Sequence, residues 1–281
     1  MTLPADFHFS QGSLQDFVDC PRRFQLRYLD QIAWPAVQAE PILENEHHLY
    51  LGQQFHLMVQ QLLVGVPIAR LSMMAQEDAD LTRWWQAFLA AQPADLPGAR
   101  FPEVALSAPL GASGERRLVA QYDLIVLTPD GRALIFDWKT SQHRPPQRWL
   151  ASRLQTRVYP SLLLQAIGDL NGGEPLAAEN VEMVYWFAGF PDQPERFVYS
   201  AAQAREDEGY INGLVEQIAL LAGGDGIFPL TPIEERCRFC VYRSLCSRGV
   251  AAGNVEEEDY RDYEPEIVVA LDFEQIAEVV Y

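Results

Sequence analysis

The sequence predicts an α/β fold, of the kind also described as α+β, in which a central sheet is flanked by helices and preceded by a helical N-terminal part. Three observations carry this. Apolar side chains recur at helical spacing through the first third of the chain. Three segments between residues 101 and 140 are rich in β-branched and aromatic residues and bounded by turn formers. Helix and strand patterns then alternate up to a cysteine triplet, Cys237, Cys240 and Cys246, whose only companion is Cys20.

In chain order, Ser10 and Ser13 offer helix caps, and Leu14, Phe17, Val18, Phe24, Tyr28 and Leu29 form an apolar stripe. The stripe is interrupted at Cys20-Pro21, where proline starts a new helix. Further helices are expected over residues 50–63 and 81–91, the second after a methionine-rich stretch around Met73. Strands are expected over 101–107, 117–128 and 133–140. A helix over about 147–166, kinked at Pro160, leads to strands near 181–190 and 196–200 and a helix over 202–221. No internal repeat is visible. The division expected is one domain over residues 1–254, with a helical insert at about 30–99, and an acidic C-terminal tail over 255–281.

With 281 residues and 48% hydrophobic residues, the chain can bury a substantial core. Apolar runs are far shorter than the roughly 18 residues needed to span a bilayer. No membrane partner is expected. The N-terminus lacks a basic start followed by an apolar stretch, so a cytoplasmic address is the default expectation. The formal charge is -18, from 21 Lys plus Arg against 39 Asp plus Glu, which taken alone argues against nucleic acid. Its distribution changes that. Residues 255–281 hold ten acids and one base, while between Arg132 and Gly168 the only acid is Asp137 against Arg132, Lys139, Arg144, Arg148, Arg153 and Arg157. A basic band sits inside an acidic protein, although a solvated helix face would have the same composition.

The turn Thr128-Pro129-Asp130-Gly131-Arg132 fits a three-residue hairpin loop with glycine at the left-handed position. That fixes a register: Val126 faces Leu134, Ile125 faces Ile135, Asp123 faces Asp137 and Gln121 faces Lys139. Asp123, Asp137 and Lys139 then share a face with Ile125, Leu127 and Ile135, and the other face carries Tyr122, Leu124, Val126, Leu134, Phe136 and Trp138. Both faces are apolar, hence covered. Two ionised carboxylates side by side need more positive charge than Lys139 alone supplies, and a divalent cation closes the gap. Carboxylate oxygens suit Mg²⁺ or Mn²⁺, which can activate water as a nucleophile. The alternative is an ordinary ion pair at a strand end. Lys139 is the only lysine in the chain, a point charge where every other basic residue is arginine.

Downstream, Gln155 and Tyr159 are four apart and share a helix face, with Arg148 nearly in line. His56 lines up with Val59 and Leu63 and so faces the core. His47 and His48 read as loop residues. The four cysteines suit a thiolate-bound metal group better than two disulfides, and spacing leaves zinc and iron–sulfur both open. Arg236, Arg238, Arg243 and Arg248 would offset the thiolates' charge and favour their ionisation. Either metal would clamp the two ends of the fold together.

The order Cys20-Pro-Arg-Arg-Phe, Gly52-x-x-x-His56, Asp123, Asp137-Trp-Lys139, Gln155-x-x-x-Tyr159 and the cysteine triplet resembles the RecB-type branch of the PD-(D/E)XK nucleases. More narrowly it is similar to the iron–sulfur members, such as the AddB nuclease domain and the CRISPR-associated exonucleases. The match runs from about residue 10 to 248. The resemblance implies a restriction-endonuclease-like mixed sheet and a cysteine clamp joining the N- and C-terminal parts. It implies a metal-dependent DNase, an exonuclease on single-stranded or fraying DNA ends in repair, recombination or CRISPR adaptation. His56, Asp123 and Asp137 would be metal ligands, and Lys139 would activate the attacking water. Gln155 and Tyr159 would orient DNA, and Cys20, Cys237, Cys240 and Cys246 would hold a 4Fe–4S cluster, with zinc as the alternative. DNA would be held through its backbone, and a helicase or CRISPR integrase could be a partner. One departure is Ala120-Gln121-Tyr122-Asp123, where the family often has glycine shortly before the aspartate. The competing reading is a non-catalytic iron–sulfur or zinc module that binds DNA or recruits a partner. For the acidic tail, a solvated segment is preferred to one that docks on a partner or on the enzyme's own basic groove.

Overall fold

A computed structural model of the chain describes residues 3–249 except 5, 33–39, 94, 112–113, 225–226 and 239, and the backbone alone of 40–46. The acidic segment 255–281, and every expectation about it, lies outside the described residues.

Helix α1 (Gln11–Asp19) opens on a capping box: Ser13 N–H donates to Ser10 Oγ and Ser10 N–H to Ser13 Oγ. Proline starts α2 (Pro21–Phe24) as expected, and the chain continues into a π-type turn, Gln25–Leu29. Helix α3 (Glu40–Leu63) begins well before residue 50, so His47 and His48 are helical rather than in a loop. The methionine-rich stretch is itself helical, as α4 (Ile68–Ala75), followed by α5 (Ala79–Ala91) with Asp78 as its cap.

The sheet is mixed. Strands β2 (Ala99–Leu110), β3 (Arg116–Leu127) and β4 (Ala133–Lys139) are antiparallel neighbours; β4 pairs in parallel with β5 (Val181–Phe187), which pairs antiparallel with β6 (Glu195–Val198). The three-residue strand β1 (His8–Ser10), too short to leave a periodic signal, runs parallel to β3 over Arg117–Val119. Since β2 occupies one edge of β3 along its whole length, β4 and β1 must share the other. β4 pairs with Leu124 to Leu127 and β1 with Arg117 to Val119, which opens the sheet between them.

Each face of the sheet carries its own core. On one, Ile125, Ile135, Met183 and Tyr185 meet α1, α7 (Leu154–Ala166) and α9 (Ala201–Gly223). On the other, Leu124, Val126, Phe136, Trp138 and Trp186 meet Phe55 and Met58 of α3 and Trp84, Trp85 and Phe88 of α5. The hairpin is thus covered on both sides.

The expected helix over 147–166 is two helices, α6 (Gln147–Ser152) and α7, broken at Arg153 with ψ 143° rather than at Pro160, which sits inside α7. A continuous helix would send Leu154 N–H to Leu150 C=O. Instead Leu154 donates to Gln15 Oε1 of α1, and Leu150 C=O accepts from Thr156 Oγ1 and Arg153 N–H. The amide freed by the break is thus answered by a distant side chain, and the break takes Arg148 off the line of Gln155 and Tyr159. The short α8 (Gly168–Asn171) had no sequence signal.

Candidate active site

The hairpin has the expected register as far as Leu124↔Phe136, and Thr128 N–H donates to Arg132 C=O across the loop with Gly131 at φ +81°. The recorded ladder stops there, one step before Asp123 and Asp137. Asp123 Oδ2 accepts Trp138 N–H at 2.7 Å, replacing a strand-to-strand bond as the sheet opens. Asp123 thus sits at the fork between β3 and β4.

The alternation of faces slips at this point. Tyr122 and Ile125 belong to the α7-side core, while Leu124 and Val126 belong to the α3-side core. Strict alternation would put Tyr122 with Leu124; instead its OH donates to Tyr159 C=O at 2.9 Å and its ring lies 4.8 Å from that of Tyr159. β2 slips in step, with Phe101 and Val104 both on the α7 side. The register on either side, Pro102↔Leu124 and Val104↔Tyr122, sets Glu103 opposite Asp123. Glu103 has φ +50°, an uncommon backbone for a side-chain-bearing residue.

The paired slip gathers ligands. His56 Nδ1 lies 3.2 Å from Asp123 Oδ1, and ligand atoms of His56, Glu103 and Asp123 all fall within 4.8 Å of one another. An octahedral Mg²⁺ with ligands at about 2.1 Å spans about 4.2 Å between opposite donors, so the three groups need close in by only a few tenths of an ångström to meet one such ion, with the two carboxylates as its usual oxygen donors. Sequence reasoning missed Glu103. Its one signal was a charged residue inside the apolar run Phe101-Pro-Glu-Val-Ala-Leu106.

Charge in the site is tightly balanced. Burial works against a charged His56, but the charge and hydrogen bond of Asp123 outweigh it and raise the imidazole pKa to about 9. Burial and the Asp123 charge push Glu103 up to about 7, against Gln121 Nε2, which donates to Glu103 Oε2 at 2.6 Å. Both groups respond to excess negative charge that a divalent cation would neutralise.

Asp137 and Lys139 leave the hairpin on the α7 side. Lys139 Nζ lies 3.1 Å from Asp137 Oδ2, and 3.1 Å from Gln155 Oε1, to which it donates. Gln155 Nε2 donates in turn to Asp137 Oδ1. Burial and then the charges of Asp137 and Asp123 raise the Tyr159 pKa far above the ordinary phenol value. The expected residues lie near one another: His56 meets Asp123, Asp137 meets Lys139 and Gln155, and the charges of both aspartates reach His56 and Tyr159. Tyr159 lies largely buried against Tyr122.

Helix α3 approaches this fork closely. His48 Nε2 lies 3.0 Å from Thr140 C=O, and a Cβ at Gly52 would meet Thr140 Oγ1 at 2.9 Å. His48, Gly52 and His56 are successive positions, one turn apart, on one side of the helix.

The basic band is mostly self-neutralised. Arg132 pairs with Asp130, Arg144 with Glu195, Lys139 with Asp137 and Arg157 with the buried Asp207. Arg148 is exposed, and the Arg153 guanidinium lies over Trp149 at 4.8 Å.

None of the four cysteines is in a disulfide, and neighbouring cysteines act on the ionisation of Cys237, Cys240 and Cys246. Burial, first, raises the pKa values of Cys237, Cys240 and Cys246. Arg248, with Arg22 and Arg23, the pair after Cys20, opposes this. Arg236 donates to Val18 C=O and lies 3.7 Å from Asp19. Together with Arg22 N–H to Pro229 C=O and Phe228 stacked on Phe24, this joins the N- and C-terminal segments.

Among the described residues no helix is long and apolar enough to cross a membrane. A search of curated proteins finds no match. Among solved structures, the chain is similar to an exonuclease candidate from Eubacterium rectale, with TM-score 0.50 and 11% identity over 88% of this chain and 90% of that one. A looser likeness, TM-score 0.39 with 16% identity over 86% of each chain, is to the protein SSO0001. The family model for the PD-(D/E)XK nuclease superfamily matches residues 8–247, and the chain belongs to that superfamily.

Proposed function

We propose that the chain is a Mg²⁺- or Mn²⁺-dependent deoxyribonuclease, an exonuclease acting on single-stranded or fraying DNA ends. The observation that carries this reading is the fork between β3 and β4, where the His56, Glu103 and Asp123 ligand atoms lie within 4.8 Å of one another. Beside it, Lys139 Nζ is held 3.1 Å from both Asp137 and Gln155.

In this reading His56, Glu103, Asp123 and Asp137 hold the cation. The bound cation supplies Lewis-acid stabilisation of phosphoryl charge and eases deprotonation of water. Asp137 and Gln155 fix the Lys139 ammonium, which orients the attacking water and faces the charge that develops on phosphate. Tyr159, kept as a neutral phenol, forms with Gln155 the wall along which the strand is positioned. Arg148 and Arg153 contact the DNA backbone, so binding is salt-sensitive and blind to sequence.

Cys20, Cys237, Cys240 and Cys246 hold a 4Fe–4S cluster with a structural role. The mutual charge effects of the cysteines on Cys237, Cys240 and Cys246 support one shared thiolate site, with zinc as the alternative occupant. The ordered motif set supports a place in repair, recombination or CRISPR adaptation, with residues 1–254 acting as one nuclease domain.

The test is purified protein with Mn²⁺ and end-labelled single-stranded DNA. Wild type should release short products from ends; Asp123→Ala and Lys139→Ala should each lose cleavage by at least about 10³-fold while keeping the wild-type circular dichroism. Full activity in both variants would overturn the reading. The visible spectrum of the same protein, purified anaerobically, separates thiolate-bound iron from zinc.

A further inference from the structure

Helix α7 carries Gln155 and Tyr159 yet starts without a cap of its own. Its N-cap residue, Arg153, is extended and gives no side-chain hydrogen bond to the first turn. The first N–H groups of a helix have no partner within it, and a buried one left bare is costly. One is answered from 139 positions away: Leu154 N–H donates to Gln15 Oε1 at 3.1 Å. Gln15 is only 7% exposed, and its amide is used at both ends, Nε2 donating to Asp19 Oδ1 at 3.0 Å. Asp19 immediately precedes Cys20 and accepts from Arg23 Nη2 at 2.9 Å.

On its other side the connection reaches the site. Leu154 precedes Gln155, whose side chain bridges Asp137 and Lys139. A residue in the first turn is held only as well as that turn is, because helix ends fray. With no cap from Arg153, the tie from α1 fixes where Gln155 stands.

We propose that Gln15 is a positioning residue for the nuclease site, holding the uncapped start of α7 to the segment that leads into Cys20. The proposal rests on the reading of Asp137, Lys139 and Gln155 as the catalytic group. Gln15 touches neither substrate nor cation. It acts through the Leu154 amide, which sets the reach of Gln155.

The experiment uses the full chain. Gln15→Met keeps the bulk and removes both hydrogen bonds. The Leu154 amide should then exchange with solvent at least about tenfold faster while the β3–β4 amides keep their protection. Turnover of single-stranded DNA with Mn²⁺ should fall about tenfold in kcat with KM unchanged. Gln15→Glu keeps an acceptor for Leu154 N–H and leaves the Asp19 carboxylate to Arg23 and Arg236, so it should hold exchange protection and kcat nearer to wild type than Gln15→Met does. Unchanged protection and kcat in Gln15→Met would overturn the proposal, as would Gln15→Glu no better than Gln15→Met, since the loss would then be one of packing. Should wild type fail to cut DNA, the nuclease reading fails by itself, and exchange at Leu154 still decides whether Gln15 holds α7.

Discussion

The carboxylate fork and the cysteine lobe both gather residues distant in sequence, but by opposite means. At the fork, backbone geometry does the work: a shared slip of β2 and β3 turns Glu103 and Asp123 toward His56, and the end of the β3–β4 ladder leaves Asp123 to accept Trp138 N–H. In the lobe, side chains do it. Arg23 lies 2.7 Å from Asp16 and 2.9 Å from Asp19, and Arg236 reaches across to Val18 C=O and Asp19. A strand register is cooperative and resists single substitutions, whereas a web of ion pairs concentrates its stabilisation in a few residues. The fork should therefore be fragile in chemistry and robust in stability, and the lobe the reverse.

The largest break in that contrast is expected at Arg23. Its guanidinium is held well into the charged form: burial opposes the charge, but Asp16 and Asp19 outweigh it. Arg23→Met leaves those carboxylates short of a buried partner, a loss of about 3 kcal/mol for breaking a desolvated pair. Arg27 still answers Asp16 at 3.0 Å and Gln15 still answers Asp19, which keeps the loss below the upper end of such values. Urea unfolding measures it as a lower midpoint at constant slope. A shift under about 0.5 kcal/mol, the size of an ordinary surface substitution, would show that the lobe is not held by its ion pairs.

The same contrast explains what could be read from sequence. The hairpin turn, Thr128 to Arg132, carries its register in local chemistry, so residue order alone was enough to pair Leu124 with Phe136, one step short of Asp123 and Asp137. Glu103 could not be found that way, because its orientation depends on a backbone slip shared by two strands, and alternation rules assume that none occurs. The same slip carries Tyr122 to the face that alternation denies it. The helix break at Arg153 was invisible because the side chain that answers it, Gln15, lies in α1. Charge counting found a basic band but could not see that Arg144 and Arg157 are taken up by Glu195 and Asp207. In each case the local signal was right about composition and silent about partners supplied from elsewhere in the chain.

A smaller effect is expected at Gly52, where the fork meets α3. Alanine adds a Cβ that would lie 2.9 Å from Thr140 Oγ1, so either the hydroxyl rotates or α3 withdraws by a few tenths of an ångström. Alanine also favours a helix interior over glycine by about 1 kcal/mol, which offsets the crowding. Gly52→Ala should change stability by less than about 1 kcal/mol, while displacement of His56 from Asp123 lowers turnover several-fold. Thermal unfolding and kcat measured on one preparation test this. Lost stability with unchanged kcat would mean that the close approach serves packing alone.

The smallest effect separates the two kinds of arginine in the basic band. Arg148 is exposed, whereas Arg157 lies 2.9 Å from the fully buried Asp207, which Tyr199 and Gln203 also contact. A phosphate-contacting arginine contributes by releasing a counterion, so its removal lowers the slope of log affinity against log salt by about 0.7 on a single strand. Arg148→Ala should show that change with unaltered stability. Arg157→Ala should leave the slope alone and lower stability, since it strips a charged partner from a buried carboxylate. Burial already raises the Asp207 pKa, and losing the arginine raises it further. The stability deficit of Arg157→Ala should then shrink as pH falls, because a protonated Asp207 no longer needs a cation. Equal salt slopes for wild type and Arg148→Ala would move the DNA path off α6 and leave the fork to be reached from the α3 side.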